Sequence, residues 1–152
     1  MTTGLLLLIA CVALTASIGA AFRRSGIWLA LTVTGAVIGA VAALQVLVGG
    51  DNWQWHSAFR LGGEPLHLRL DGLSALFLML VSVVGGTGAV YSREYWSDEN
   101  NPDSAPCGRA WWSAFLISMG LVLTASNGLH FLIAWELFAV CVYFLITLDR
   151  KR

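Results

Sequence analysis

Leu129-His-Phe-Leu-Ile-Ala-Trp-Glu-Leu-Phe-Ala-Val-Cys-Val-Tyr-Phe-Leu-Ile-Thr-Leu148 sets the terms on which the rest of this chain is read. A helix of that length, at about 1.5 Å rise per residue, covers about 30 Å, the thickness of a bilayer's hydrocarbon core. Glu136 stands inside the run and is the one carboxylate within any long apolar segment of the chain. A charge near the bilayer centre costs about 2.5–3.5 kcal/mol on insertion scales. A membrane helix therefore keeps such a group only where a partner, water or a task holds it.

Working outward, the whole chain has the same character. Its 152 residues are 57% hydrophobic and 12% charged, against about 25% charged in soluble domains. The charges gather in short clusters between apolar runs, and five spans are predicted: Gly4–Phe22, Ile27–Val48, Leu73–Tyr91, Ala110–Ala125 and Leu129–Leu148. Helices satisfy their own backbone in lipid, and the alternating strands of a membrane barrel are absent. The sequence thus predicts an all-α, polytopic transmembrane bundle of about five helices, a single transmembrane domain over residues 1–152. Nine basic and nine acidic residues cancel, so net charge says nothing in favour of a nucleic-acid partner, and none is expected. The first run is read as a retained helix and not a secretion signal, because no basic residue precedes it and Arg23 and Arg24 follow it. Cys11, Cys107 and Cys141 form no C-x-x-C pair or Cys/His cluster, so neither a disulfide framework, a metal site nor a cofactor is expected. They read as small packing residues.

Basic residues in short loops stay on the cytoplasmic side. With the N-terminus outside, Arg23, Arg24, Arg93, Arg109, Arg150, Lys151 and Arg152 face the cytoplasm, and only Arg60 and Arg69 face out. The expectation is an integral protein of a bacterial or archaeal cell membrane, N-terminus outside and C-terminus inside. The Gly49–Gly72 loop is then external. Leu66, Leu68 and Leu70 alternate with His67, Arg69 and Asp71, and Gly62-Gly-Glu-Pro65 supplies a turn, which predicts a short β-hairpin or extended cap between helices two and three. Trp53 and Trp55 suit the membrane interface. The acid-rich Ser92–Arg109 loop reads as a solvated connector without the ligand spacing of a calcium site.

Without a hydrophobic drive between helices in lipid, small residues must let backbones approach. Gly35, Gly39 and Ala43 form such a ridge, and Gly85, Gly86 and Gly88 read first as close packing and second as a hinge. Asp71, just ahead of the third span, reads as an N-cap.

Residues seven and eleven apart share a helix face. Tyr143 and Thr147 therefore line up with Glu136 on the fifth helix, and Ser113, Gly120, Thr124 and Asn127 share a face of the fourth. Two polar stripes on neighbouring helices are expected to line a hydrated proton path. His130 lies about 120° around the helix from Glu136 and is expected at the interface. No lysine or arginine occurs inside a predicted span, so the partner of Glu136 is water, another subunit or further chain. Two readings stay open on the residues alone: an acid that gains and loses a proton, or a protonated acid that hydrogen-bonds a neighbouring helix as glue.

Leu68-Arg-Leu-Asp-Gly-Leu-Ser74, Tyr91-Ser-Arg-Glu-Tyr95 and Asn127-Gly-Leu-His-Phe-Leu-Ile-Ala-Trp-Glu136 resemble the N-terminal part of the antiporter-like, proton-translocating membrane subunits. That family is shared by complex I, multi-subunit Na⁺/H⁺ antiporters and formate-hydrogenlyase-type hydrogenases. Trp135-Glu136 is the most specific element, and the hydrogenase-linked branch is preferred. The resemblance implies two inverted repeats with a buried site between them, of which this chain would be an incomplete first part. It also implies that Glu136 pairs with a lysine on a discontinuous helix, for which this sequence offers no match. The implied function is a non-redox, proton-translocating subunit of an oxidoreductase complex, partnered by other membrane subunits and the lipid bilayer, with redox centres and quinone elsewhere. A subunit moving Na⁺ in an antiporter, and a small scaffold subunit with no transport of its own, are the alternatives.

Overall fold

The computed structural model describes residues 2–148. In chain order they form α1 (Thr2–Ala21), α2 (Ser25–Gly49), β1 (Trp53–Leu61), β2 (Glu64–Leu70), α3 (Gly72–Tyr95), α4 (Ala105–Thr124) and α5 (Gly128–Thr147). The architecture is the expected helical bundle with one hairpin. Arg150, Lys151 and Arg152, part of the orientation argument, lie outside the described residues.

Helices α1, α2, α3 and α5 are long and apolar enough to cross a membrane. The fourth helix differs from expectation. It starts five residues earlier than predicted, because Pro106 sits where a helix needs no N–H donor. That start takes Arg109 into the helix, beside Trp111, Trp112 and Ser113, and α4 is not among the helices apolar enough to span on composition. Its packing supplies the reason. None of the residues from Ala105 to Thr124 is exposed, whereas the other four helices each carry an exposed apolar face. α4 is more enclosed by its neighbours than the other helices and needs less lipid-compatible surface.

Four helices close a ring, α1 on α2, α2 on α3, α3 on α4 and α4 back on α1, and α5 is added to the outside of α4. The small residues read from the sequence make the seams. A Cβ on Gly35 would stand 2.9 Å from Leu14 of α1 and 3.2 Å from the Ala10 carbonyl, so the α1–α2 contact is backbone against side chain. A Cβ on Gly88 would stand 2.6 Å from the Trp112 ring, and Trp112 Nε1 donates to the Gly85 carbonyl at 3.2 Å. The Gly85–Gly88 segment is an unbroken part of α3; its glycines serve packing.

The hairpin is longer than the sequence suggested, since β1 takes in Trp53 and Trp55. Gly62 and Gly63 both have positive φ, 64° and 88°, the two-residue turn that matches strand twist. Leu70 is fully buried among Ala43, Val46, Ala75 and Leu78, which anchors the base of β2 in the bundle. Asp71 caps α3 as expected, its Oδ1 accepting from the Ser74 N–H at 2.9 Å. That backbone hydrogen bond, with Arg69 beside it, holds the Asp71 carboxyl below its ordinary range.

Candidate functional site

α5 begins where Asn127 accepts from the His130 N–H at 2.8 Å, a side-chain N-cap. It packs chiefly on α4 along His130, Ala134 and Cys141, all buried. Trp111 stacks on Phe144 with centroids 4.3 Å apart, and Phe115 meets Phe138 at 5.5 Å. These contacts fix the rotation of the helix. At 100° per residue, Glu136 lies about 200° from Ala134, so it faces away from α4. Its side chain is exposed and makes no hydrogen bond or ion pair among the described residues.

The neighbours of Glu136 on that face are apolar or aromatic: Leu132 is 58% exposed, Trp135 49% and Tyr143 58%. Tyr143 shares the face of Glu136 as predicted. Thr147 returns its hydroxyl to the Tyr143 carbonyl at 2.9 Å, one turn back along its own helix. The carboxylate stands eight residues past Gly128, about 12 Å along the helix at 1.5 Å per residue.

The expectation that the stripes of α4 and α5 line one path is corrected here. Ser113 is fully buried and faces α1 and α2, not α5. Thr124 is buried and donates to the Gly120 carbonyl of its own helix at 2.8 Å. Asn127 is occupied as a cap. Within this chain these three do not meet Glu136. Helical arithmetic carried the α4 stripe past the end of the helix to Asn127, which caps α5, and could not say which neighbour each stripe faces.

Ser113 instead centres a polar cluster that the sequence reading missed. Ser17 of α1 donates to Ser113 Oγ at 2.7 Å, and Trp28 Nε1 of α2 donates to it at 2.9 Å. Ser113 passes its own proton to the Arg109 carbonyl at 3.3 Å, and Thr32 lies 3.5 Å away. Ser17, Trp28, Thr32 and Ser113 are all fully buried. Arg109 itself reaches the α1 terminus, donating to the Ala21 carbonyl at 2.9 and 3.2 Å and pairing with Asp98 at 2.7 Å. The usable signal was there: Trp28 and Thr32 are four apart on one face, and lone hydroxyls in apolar helices mark interhelical contacts.

His130, in the first turn of α5, has an environment that the sequence did not show. It is buried at 5% exposure, and both its ring nitrogens lack a partner among the described residues. It points into the α4 seam because it shares the face of Ala134 and Cys141. Of the three cysteines, Cys141 fits its packing role, but Cys11 is exposed on α1.

An acid on the open face of a bundle-edge helix is the arrangement against which known proteins can be compared. No family model matches the chain. A protein of Staphylococcus saprophyticus named antiporter subunit mnhA2 is 35% identical over 81 residues, 53% of this chain and 10% of the relative. The proteins of that name in Staphylococcus aureus strains JH9 and JH1 are 31% identical over 110 residues, 72% of this chain and 13% of theirs. Over these stretches the chain is similar to antiporter subunits. With its apolar helices, that similarity makes it an integral membrane protein. The match spans about a tenth of the relatives' length.

Proposed function

We propose that this bundle belongs to a proton-translocating, non-redox membrane subunit, and that Glu136 is its proton-exchanging acid. The observation that carries the reading is the position of Glu136: mid-helix, exposed, and unpartnered among the described residues. A carboxylate left facing lipid costs several kcal/mol, so another helix or hydrated protein surface covers this face in the assembled protein. That cover supplies a cation or water and makes the acid switchable. Next to a positive charge the carboxylate ionises, and without one desolvation returns it to the neutral acid. The resemblance assigns the positive charge to a lysine on a broken helix, which would come from protein beyond residues 1–152.

The relatives' antiporter name supports the alternative branch, a subunit of a multi-subunit Na⁺/H⁺ antiporter, which stands beside the complex I-like reading. In this reading the partners are other membrane subunits of the same complex and the bilayer, the ions are H⁺ and Na⁺, and the chain binds no cofactor. The N-terminus and hairpin lie outside and the Arg23–Arg24 turn lies in the cytoplasm, by the distribution of basic residues.

The test is Glu136→Gln in the assembled complex, with proton flux in sealed vesicles measured beside subunit content. Flux lost at normal content supports the reading. Content lost, with flux per remaining complex unchanged, assigns Glu136 to assembly instead.

A further inference from the structure

The hairpin does more than cap the bundle. Beyond its anchor at Leu70, β2 adds itself to the connector between α4 and α5. Leu68 pairs with Ala125 in an antiparallel bridge, and the Ser126 N–H donates to the His67 carbonyl at 3.2 Å. The Ser126 hydroxyl lies 2.8 Å from His67 Nδ1. Ser126 directly precedes Asn127, the cap of α5. One imidazole therefore sits at the joint between the hairpin and the start of the helix that carries Glu136.

That imidazole is poorly placed to carry a charge. Its ring stacks on His56, the residue opposite it in the ladder, with centroids 3.7 Å apart. Its Nε2 is buried with no hydrogen-bond partner among the described residues. With Nδ1–H donating to the Ser126 hydroxyl, the neutral ring leaves Nε2 bare, and protonation puts an N–H donor there with nothing to receive it among the described residues, at a cost comparable to a buried unsatisfied group. The charged groups around it are of one sign: His56 from β1 when protonated, and Arg69 from β2, which is itself paired to Asp71 at 3.0 Å. Ala125, Ser126 and Asn127 of the connector and Thr124 at the end of α4 bring no carboxylate. On α5 the first titratable residue is His130, also without a partner among the described residues.

We propose that His67 is a pH-sensitive latch: neutral, it holds β2 against the α4–α5 connector, and protonated, it releases that contact. Burial, then the neighbouring His56 and Arg69, hold the docked imidazole below the ordinary histidine range. A released imidazole takes its proton near about 6.5. The sign follows. Docking is complete above that ordinary value and is lost as the pH bathing the hairpin falls below it, because the released state binds the proton more tightly. The release is local, because Leu70 keeps the base of β2 in the core. It frees the connector that holds the N-cap of α5. This inference stands apart from the role of Glu136, since it needs neither proton transport nor a partner subunit.

Hydrogen–deuterium exchange on the full chain in lipid nanodiscs tests it, with rates corrected for intrinsic exchange. Between pH 8 and pH 5, protection of the Ser126 amide should fall about tenfold for each unit by which docking lowers the His67 pKa. The amides within α1 and α2 should not change. His67→Gln, which stays neutral at every pH and can still meet the Ser126 hydroxyl, should abolish the pH dependence. His56→Gln removes one like charge and should shrink it, which keeps the test informative if His67→Gln misfolds. Protection at Ser126 that is independent of pH in the wild type overturns the latch. So does a loss shared equally by all helices, or a pH dependence that His67→Gln leaves intact.

Discussion

Ser113 shows what one hydroxyl does inside a membrane bundle. It accepts from Ser17 and Trp28 and donates to the Arg109 carbonyl, tying α1, α2 and α4 at one fully buried point. Removing it takes one acceptor from each of two buried donors that keep another, Ser17 the Leu14 carbonyl at 2.7 Å and Trp28 Nε1 the Arg109 carbonyl at 3.0 Å. The loss is that of ordinary hydrogen bonds, about 0.5–1.5 kcal/mol each in protein interiors and about 0.6 kcal/mol on average between membrane helices. Ser113→Ala should therefore lower thermal stability in detergent by about 0.5–1.5 kcal/mol. Thr15→Val, at an exposed hydroxyl bonded only to its own helix at Cys11, should leave stability nearly unchanged. Equal effects of the two would remove the cluster as a fastening. At this scale the sequence was partly legible. Asp71 as a cap follows from residue type and position alone, but Asn127 was given to a path when it caps α5. Ser113 was noticed for its polarity, and its partners were missed because three helices had to be in place before they met.

Among the elements, α3 and α4 meet where Gly85 and Gly88 leave room for Leu116 and Trp112. A side chain at Gly88 would run into the rigid Trp112 ring, and one at Gly85 into the end of the Leu116 side chain. Gly88→Leu should lower the thermal midpoint by several degrees, through overpacking of about 1–3 kcal/mol. Gly19→Leu, where nothing stands within 4 Å, should be neutral by the same melting measurement. Helix existence and order were legible because apolar runs of bilayer length are unmistakable. The rank of α4 was not. Its tryptophans, Arg109 and Ser113 make it look like the weakest span, and that composition suits a helix with no fully exposed face. The hairpin turn was legible from Gly62-Gly63, whereas its first strand was hidden because Trp53 and Trp55 read equally well as interface anchors.

At the scale of the whole molecule, the helices alternate so that the hairpin lies at one end and the Ser92–Ser104 segment at the other. Arg23, Arg24, Arg93 and Arg109 gather at the second end, and Arg60 and Arg69 lie at the first. A single cysteine replacing Phe59, which is 64% exposed in β1, should react with an impermeant thiol reagent added to intact cells. One replacing exposed Asp103 should react only after permeabilisation, with the native cysteines removed from both. The reverse pattern would invert the topology. The open face of α5 also belongs to this scale, because a lone acid there makes sense only beside protein that covers it. The measurement closest to that claim is proton flux in sealed vesicles, normalised to subunit content, for Glu136→Gln and Glu136→Asp side by side. An acid that must exchange a proton predicts flux lowered about tenfold or more by the amide, within the range of a positioned acid–base group, and partly kept by the shorter carboxylate. Full flux with the amide would contradict it.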